Sequence, residues 1–362
     1  MPFIQLGLIV AGLALLFFGA ELLVRGASRI AAVAGMSPLM IGLTVVAYGT
    51  SSPELAVSIG AALSGQADIS LGNVVGSNIF NILFILGACA ILVPLQVARQ
   101  LVWLDVPLMI GASLLLLLMA LDGRLSRIDG VILFSGAILY TAFLIRLGRR
   151  NAVEDKQAHA GSSQETHWAG SWPVQVLSMA LGLGMLVYGA HWLVDGAVAV
   201  AKVLGMSDFI VGLTIVAAGT SFPEVATSVV AGFRGERDIA VGNVVGSSIF
   251  NILAVLGLSS IVARDGIAVP PAALAFDIPV MIAVALACSP IFFTGHSIAR
   301  WEGALFLSYY GAYISYLALD AQGHDSLPLF NTVMLQFVLP LTLVTLAIVY
   351  TRHAAQTRSQ NR

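Results

Sequence analysis

The sequence predicts an all-α, polytopic membrane protein with two inverted repeats of five helices, ten membrane spans in all, followed by an eleventh span. Three observations lead to this prediction. The 362-residue chain is 58% hydrophobic and only 10% charged, whereas soluble proteins carry about 25% charged residues. It contains many apolar stretches near the length of about 20 residues that a helix needs to cross a bilayer. Finally, the segment at 42–87 returns at 212–257 with 29 of 46 positions identical.

The apolar stretches fall into two sets of five. The first set covers residues 4–27, 38–63, 69–92, 101–121 and 127–147, and the second covers 173–197, 208–232, 239–262, 271–293 and 299–319. A last apolar stretch at 328–350 predicts the eleventh span. These boundaries divide the chain into a first repeat (1–147), a polar loop (148–172), a second repeat (173–320) and a C-terminal extension (321–362).

The repeat extends beyond the central motif. At nearly the same offset along the chain, Gly19 recurs as Gly189 and Asp105 recurs as Asp277. Because five is an odd number of spans, the second copy enters the membrane in the opposite orientation. Inverted repeats of this kind are typical of secondary transporters, which bind their substrates near the bilayer midplane at the interface between repeats.

The cations predict the orientation. With the N-terminus outside, thirteen of the seventeen Lys and Arg residues lie on the inner side of the membrane. The positive-inside rule therefore places the 148–172 loop and the C-terminus in the cytoplasm, and we expect a multi-pass protein of the cytoplasmic (inner) membrane. The net charge of −2 says nothing about nucleic acid, but the sequence has no basic run dense enough to bind a phosphate backbone, so we expect no nucleic-acid partner.

Two glutamates lie in the middle of apolar spans. Glu54 and Glu224 occupy equivalent positions of the repeated motif, and the sequence has no Lys or Arg close to either one. A charge at the bilayer centre is unfavourable by at least about 2.5–3.5 kcal/mol, so a bound cation or a proton must neutralise them. The alternative is a protonated glutamate that bonds between helices, but two such residues at symmetric positions favour a functional site.

The neighbours of each glutamate supply further oxygen atoms. Thr50 shares a helix face with Glu54, and Pro53 predicts a helix break that leaves backbone carbonyls free. Ser77 and Asn81 share a face of the next span, where small-residue helix packing is the alternative role. Carboxylate, hydroxyl and carbonyl oxygens suit hard cations such as Na⁺, Ca²⁺ and Mg²⁺. The second repeat offers the same set in Thr220, Ser221, Glu224, Ser247 and Asn251.

The two GTS-x-PE…GN-x-x-GS-x-x-FN segments resemble the α-repeats of the cation/Ca²⁺ antiporter superfamily, in particular its prokaryotic Na⁺/Ca²⁺ exchanger branch. The resemblance covers residues 1–320, and both repeats match. It implies a transporter rather than an enzyme, with no cofactor and with Na⁺ and Ca²⁺ as the transported ions. It further implies cation sites between spans two, three, seven and eight, to which access alternates as the first and sixth spans slide.

The same resemblance implies the ligands. Glu54 and Glu224 bind Ca²⁺ with the backbone carbonyls of Thr50 and Thr220, and Asn81 and Asn251 contact the middle site. Na⁺ occupies flanking sites that use both glutamates and two further sets of residues. These sets are Ala47, Thr50, Ser51 and Ser77, and Ala217, Thr220, Ser221 and Ser247.

Three features separate this chain from parts of that superfamily. The K⁺-dependent branch relies on an aspartate at one of the positions of Asn81 and Asn251, so two asparagines argue against K⁺ co-transport. The H⁺-coupled Ca²⁺ branch carries Gly-Asn-x-x-Glu, whereas Asn73 and Asn243 are not followed by that glutamate. The stretch at 328–350 adds a span to the ten helices of the exchanger branch.

We expect a Na⁺/Ca²⁺ antiporter that works by alternating access. Exchange of Ca²⁺, or of another divalent cation, for H⁺ is the alternative, since both glutamates can take protons. An intramembrane hydrolase is disfavoured, because the sequence has no GxSxG, no HExxH and no paired mid-span aspartates. The expected partners are inorganic cations and the lipid bilayer, with the chain monomeric or self-associated.

Charged residues near the span ends have structural interpretations. Glu21 and Arg25 are one helical turn apart and predict an ion pair on one helix, and His191 and Asp195 occupy the equivalent places. Asp105 and Asp277 lie near the start of their spans, where a helix N-terminus favours a negative charge, and a role in an ion vestibule is the alternative.

Overall fold

The computed structural model describes residues 2–34, 36–158, 172–203, 217–293, 295–324 and 326–343, together with residues 347 and 351. Residues 159–171 of the predicted loop, 208–216 of the predicted seventh span, and most of 344–350 in the predicted eleventh span lie outside these ranges. The first repeat comprises α1 (Pro2–Ala34), α2 (Pro38–Thr50), α3 (Ser52–Leu63), α4 (Asp68–Leu92), α5 (Leu101–Ala120) and α6 (Arg127–Ala158). The second comprises α7 (Trp172–Val203), α8 (Phe222–Phe233), α9 (Arg237–Val262), α10 (Ala273–Phe293) and α11 (Arg300–Ala321), and α12 (Leu327–Leu343) follows.

The protein is an all-α, polytopic membrane protein. By length and composition, seven of the described helices can cross a membrane, namely α1, α4, α5, α6, α7, α9 and α10. The predicted second span is divided into the shorter helices α2 and α3. The seventh is described as the turn Ala217–Gly219 and α8. α12 lies within the predicted eleventh span and packs on α11, where the Tyr309 hydroxyl donates to Thr342 Oγ1 at 2.6 Å.

The predicted helix break next to Pro53 is confirmed. Ser51 separates α2 from α3 with φ −84° and ψ 9°, and Pro53 occupies the first turn of α3, where its missing N–H loses no hydrogen bond. Ser221 has nearly the same conformation, with φ −93° and ψ 5°, and Pro223 occupies the first turn of α8. Neither serine side chain caps the helix that follows, so both hydroxyls are available to other partners.

The first helices of the two repeats, α1 and α7, run in opposite directions. A Cβ atom at Gly12 of α1 would lie 2.8 Å from the Gly189 carbonyl oxygen of α7, and one at Gly19 would lie 2.8 Å from that of Gly182. The contacts move toward the C-terminus along α1 as they move toward the N-terminus along α7, so the two helices are antiparallel. Glycine allows this close backbone approach, and antiparallel packing of equivalent helices is what an inverted repeat requires.

Two short antiparallel strand pairs join the repeats, which the sequence did not predict. β1 (Leu95–Gln96) pairs with β4 (Ser297–Ile298), and β2 (Arg124–Leu125) pairs with β3 (Ile267–Ala268). Each pair takes one strand from each repeat. α9 lies at the centre of the molecule and its apolar stretch is fully buried, whereas no more than about a third of the apolar stretch is buried in each of α1, α6 and α7. The central helices therefore carry the site, and the outer helices present apolar side chains to lipid.

Wider, π-helical turns occur at equivalent positions of the repeats. Phe80–Leu86 in α4 corresponds to Asn251–Leu256 in α9, and Leu101–Asp105 in α5 corresponds to Ala273–Asp277 in α10. Such turns frequently mark functional sites. The first pair contains the predicted site residues Asn81 and Asn251.

The expected N-terminal placement of Asp105 and Asp277 is wrong. Both lie beyond the first turn of their helices, where the effect of a helix terminus has faded. Instead, the Tyr140 hydroxyl of α6 donates to Asp105 at 2.9 Å, and the Tyr313 hydroxyl of α11 donates to Asp277 at 3.0 Å. The two aspartates therefore join the fourth and fifth spans of their own repeats.

Candidate cation site

Glu54 and Glu224 lie together at the centre of the molecule, where they are 1% and 0% exposed. Each carboxylate accepts a hydrogen bond from the opposite repeat. The Ser221 hydroxyl donates to Glu54 Oε1 at 2.8 Å, and the Ser51 hydroxyl donates to Glu224 Oε1 at 2.8 Å. Both serines lie at the helix breaks, and neither hydroxyl caps the helix that follows. Each hydroxyl is therefore free to donate to a glutamate. The two glutamates thus belong to one site to which both repeats contribute.

Four buried oxygen atoms of this region have no hydrogen-bond partner among the described residues. They are the second carboxylate oxygens of Glu54 and Glu224 and the side-chain carbonyl oxygens of Asn81 and Asn251. All four are acceptors. A buried acceptor without a donor is unfavourable by about 1–3 kcal/mol, and more if it is charged. A hard cation coordinated by oxygen removes this penalty, so the arrangement suits cation binding.

Two asparagines that we did not predict as site residues support this centre. The Thr50 hydroxyl donates to Asn243 Oδ1 at 3.0 Å, and the Thr220 hydroxyl donates to Asn73 Oδ1 at 3.5 Å. Each threonine of the predicted site is therefore bonded to an asparagine of the opposite repeat. Asn73 and Asn243 belong to the repeated Gly-Asn pairs, and their recurrence at equivalent positions of the two copies was a signal that could have identified them.

The amide nitrogens of the same asparagines hold the glutamate-bearing helices. Asn73 Nδ2 donates to the backbone carbonyl of Glu54 at 3.2 Å and to the Ser58 hydroxyl at 2.9 Å. Asn243 Nδ2 makes the equivalent bonds to the Glu224 carbonyl at 3.5 Å and to the Ser228 hydroxyl at 3.0 Å. Each amide is thus fully used and fixes the helix that carries a glutamate against its neighbour.

The hydroxyls predicted to flank the centre also pair across the repeats. The Ser247 hydroxyl lies 3.4 Å from the backbone carbonyl of Ala47, to which it donates. Ser77 Oγ lies 3.3 Å from Ser221 Oγ. The resemblance implies two sets of Na⁺ ligands, each from one repeat. The structure instead places Ser247 of the second repeat beside Ala47 of the first, and Ser77 of the first repeat beside Ser221 of the second. Ala217 begins the turn Ala217–Gly219 that leads to Thr220.

The two asparagines of the middle site have different surroundings. Asn251 Nδ2 donates to Asn78 Oδ1 at 3.2 Å, and Asn78 Nδ2 donates to the Ser248 backbone carbonyl at 3.1 Å. Ser248 is the repeat equivalent of Asn78 and directs its hydroxyl to the Val244 carbonyl instead. Asn78 therefore orients the amide of Asn251, and its equivalent does not orient that of Asn81.

The site has the chemistry of a hard-cation site. In the described part of the chain, no group of three or more His, Cys, Asp and Glu side chains is placed to hold a metal ion. No ion pair between a described basic residue and Glu54 or Glu224 is formed. The two cysteines, Cys89 and Cys288, are free and buried. What the centre offers is two carboxylates surrounded by hydroxyl, amide and backbone oxygens.

Known proteins resemble this chain over most of its length. The model of the family described as sodium/calcium exchanger protein matches residues 4–146 and 174–319. The inner membrane protein YrbG of Escherichia coli strain K12 is 38% identical over 77% of this chain and 86% of its own length. The sodium/calcium exchanger MaX1 of Methanosarcina acetivorans is 33% identical over 85% of this chain and 96% of its own length. A solved structure of a sodium/calcium exchanger from Methanococcus jannaschii has a TM-score of 0.72 and 32% identity, and the match covers 87% of this chain and 99% of that one.

Proposed function

This chain belongs to the sodium/calcium exchanger protein family, and we propose that it exchanges Na⁺ for Ca²⁺ at the site centred on Glu54 and Glu224. It is a multi-pass membrane transporter of the cation/Ca²⁺ exchanger type and not an enzyme. The proposal concerns the driving ion, the residues that bind it and the direction of transport.

One observation carries the proposal. Glu54 and Glu224 each present a buried carboxylate oxygen without a partner among the described residues, and Asn81 and Asn251 add two unpartnered amide oxygens. Ca²⁺ takes six to eight oxygen ligands, and these four acceptors can provide a large share of them. We assign the backbone carbonyls of Thr50 and Thr220 to the same ion.

The charge of the centre accounts for exchange. Two ionised glutamates carry two negative charges, which one Ca²⁺ or two Na⁺ neutralise. Because both ions need the same carboxylates, their binding is mutually exclusive at the centre. Mutually exclusive binding is a condition for antiport, because one ion must leave the site before the other enters.

The flanking oxygen atoms favour Na⁺ over H⁺ as the driving ion. A proton needs only a carboxylate oxygen, so an H⁺-coupled exchanger has no need of further ligands beside the glutamates. Here Ser247 lies against the Ala47 carbonyl, and Ser77 lies beside Ser221. We assign these groups to Na⁺, with Ala217 as a carbonyl ligand in the second repeat.

We further propose that α1 and α7 move together across the site during alternating access. They pack against each other through glycines and expose apolar side chains on their outer faces. With the orientation that the cations predict, the N-terminus lies outside, the C-terminus lies in the cytoplasm, and Na⁺ entry drives Ca²⁺ export across the inner membrane.

The test is Ca²⁺ uptake into vesicles that contain the purified full-length protein. We expect uptake when the vesicles are loaded with Na⁺ and diluted into Na⁺-free buffer, and none when only a pH gradient is imposed. Vesicles loaded with choline in place of Na⁺ are the control. Uptake that follows the pH gradient and ignores Na⁺ would instead support Ca²⁺/H⁺ exchange.

A further inference from the structure

A cavity of about 300 Å³ lies between α1 and the turn that follows α8, and none of its lining residues belongs to the cation site. We call it the basic cavity, and it is lined by Val24, Arg25, Ser28, Arg29, Arg234 and Glu236. Three of its six lining residues are arginines, so the chemistry of the lining is that of an anion site rather than of a cation path.

One glutamate holds two of the three arginines in place. Glu21 Oε1 lies 2.5 Å from Arg25 Nη2. The guanidinium of Arg234 donates to both carboxylate oxygens of Glu21, which fixes the α8 end of the cavity to α1. Arginine suits such planar, two-point contacts. The predicted pair of Glu21 and Arg25 is thus confirmed, and it extends to a second helix.

The remaining polar groups of the lining lack partners. Arg29 forms no ion pair with any described residue. Ser28 Oγ is buried and has no hydrogen-bond partner in the described part of the chain. Glu236 is the one acidic residue of the lining. The three arginines carry three positive charges and Glu21 and Glu236 carry two negative ones, so the cluster has one net positive charge. An anion in the cavity would pair with Arg29. It would also accept a hydrogen bond from Ser28 after the Ser28 side chain rotates about its Cα–Cβ bond.

The other repeat shows that the fold does not require this cluster. The residues equivalent to Glu21, Arg25, Ser28, Arg29, Arg234 and Glu236 are His191, Asp195, Val198, Ala199, Ser64 and Gln66. At the corresponding part of α7, His191 Nε2 lies 3.7 Å from Asp195 Oδ2. No arginine occurs among these equivalents, so the second repeat has no counterpart of the arginine cluster at the corresponding positions.

The cavity lies where a lipid headgroup would reach it. The exposed side of α1 runs through Val10, Leu13, Phe17 and Phe18 and continues to Arg25 and Arg29. An apolar stripe faces acyl chains, and cations at its end lie at the headgroup level. Basic pockets between membrane helices bind anionic headgroups by charge and by hydrogen bonds to phosphate.

We propose that the basic cavity binds the phosphate of an anionic phospholipid headgroup. A bound headgroup would contact Arg25 and Arg29 on α1 and Arg234 at the end of α8, and would therefore hold these two helices together. With the orientation proposed above, the lipid comes from the cytoplasmic leaflet. This inference depends on the cavity and the exposed stripe, and not on which ion drives exchange.

The test measures thermal unfolding of the full-length, detergent-solubilised protein during titration with short-chain phosphatidylglycerol. We expect a saturable rise in the midpoint that zwitterionic phosphatidylcholine of the same chain length does not produce. Native mass spectrometry should show one retained phosphatidylglycerol. Arg29→Ala and Arg234→Ser, which introduce the residues found at the equivalent positions, should each remove the rise and lower retention at least about tenfold.

Two controls make the outcome decisive. Arg264→Ala removes another exposed arginine outside the cavity and should leave the lipid effect unchanged. Inorganic phosphate at matched concentration tests the source of the anion, and a full effect from phosphate alone would overturn the lipid assignment. The Arg29→Ala variant is informative if, without lipid, it unfolds at the same midpoint as the parent. If phosphatidylglycerol then raises its midpoint as much as it raises that of the parent, the proposed site is wrong.

Discussion

Ser221 of the second repeat donates its hydroxyl to Glu54 of the first at 2.8 Å. Ser51 returns the same bond to Glu224 at the same distance. Neither glutamate is held by the serine that precedes it in its own GTS-x-PE segment. Each is held by the equivalent serine of the other repeat, so a half-molecule cannot assemble the centre.

Glu54→Gln and Glu224→Gln should each abolish Ca²⁺ transport. Each change removes one of the two charges that face the ion while keeping the shape of the side chain. We expect Ca²⁺ affinity to fall by at least about tenfold, which is about 1.4 kcal/mol, and Na⁺-driven uptake to disappear. Calcium titration of the purified variants and uptake into Na⁺-loaded vesicles are the measurements.

Glu302→Gln is the control for those variants. Glu302 is also buried, but its carboxylate accepts from the Ala299 backbone N–H at 2.7 Å and caps α11. This substitution should reduce stability modestly and leave Ca²⁺ transport intact. Normal transport by either Glu54→Gln or Glu224→Gln would show that the site is elsewhere.

Ser51→Ala and Ser221→Ala should lower the free energy of unfolding of the ion-free protein to a similar extent, because the two hydrogen bonds are equivalent and both form without a bound ion. A hydrogen bond to a charged group contributes about 1.5–3 kcal/mol to stability, so we expect a decrease of that size in the free energy of unfolding, measured by chemical denaturation in detergent. Ser52→Ala is the matched control. Its hydroxyl donates to the Gly49 carbonyl at 2.7 Å on the exposed side, and its equivalent in the second repeat is Phe222. Equal losses in all three variants would argue against the cross-repeat bonds.

Thr50 and Asn243 should behave as a coupled pair. Their side chains are 3.0 Å apart across the repeat interface, and residues in direct contact show coupling of about 0.5–3 kcal/mol. A double-mutant cycle of Thr50→Val and Asn243→Ala, read as Ca²⁺ affinity, should give coupling in this range. The cycle of Thr50→Val with Asn73→Ala, whose partner is Thr220, should be closer to additive. The opposite ranking would contradict the pairing.

Tyr140→Phe should destabilise the protein more than Tyr313→Phe. Asp105 is 0% exposed and accepts from Tyr140 and from Gln100, whereas Asp277 is half-buried and can be solvated. Removing a donor from a buried acceptor is unfavourable by about 1–3 kcal/mol. Thermal unfolding in detergent should show the larger decrease in the midpoint for Tyr140→Phe. A larger decrease for Tyr313→Phe would contradict the burial argument.

Much of the fold follows from the linear pattern. The apolar stretches, the constant offset between the copies and the odd number of spans predict helices, copies and inversion, because each depends only on residue order and hydropathy. Pro53 predicts the break at Ser51 for a local steric reason. The two strand pairs were not predicted, since each joins loops from different repeats, far apart in the chain, and two-residue strands have no pattern of their own.

The site divides in the same way. Glu54 and Glu224 are predicted from sequence because a mid-span carboxylate needs a partner. The roles of Asn73 and Asn243 depend on which threonine each one meets, and nothing in the linear order states that the partner comes from the other repeat. For Asp105 the local pattern led to a wrong prediction. The sequence predicts a place at a helix N-terminus, whereas the structure shows that Asp105 accepts a hydrogen bond from Tyr140 of the next span.

The sequence by itself determined that two buried glutamates, two helix breaks and two sets of hydroxyl and amide oxygens lie at equivalent depths of an inverted repeat. Composition and spacing specify those features because they are local. Only the tertiary structure decided that Ser221 bonds Glu54, that Asn78 orients Asn251 but its equivalent does not orient Asn81, and that Arg234 joins Glu21 on one side of the molecule alone. These choices depend on side chains that meet across helices, where small differences between the copies break the symmetry of the repeat.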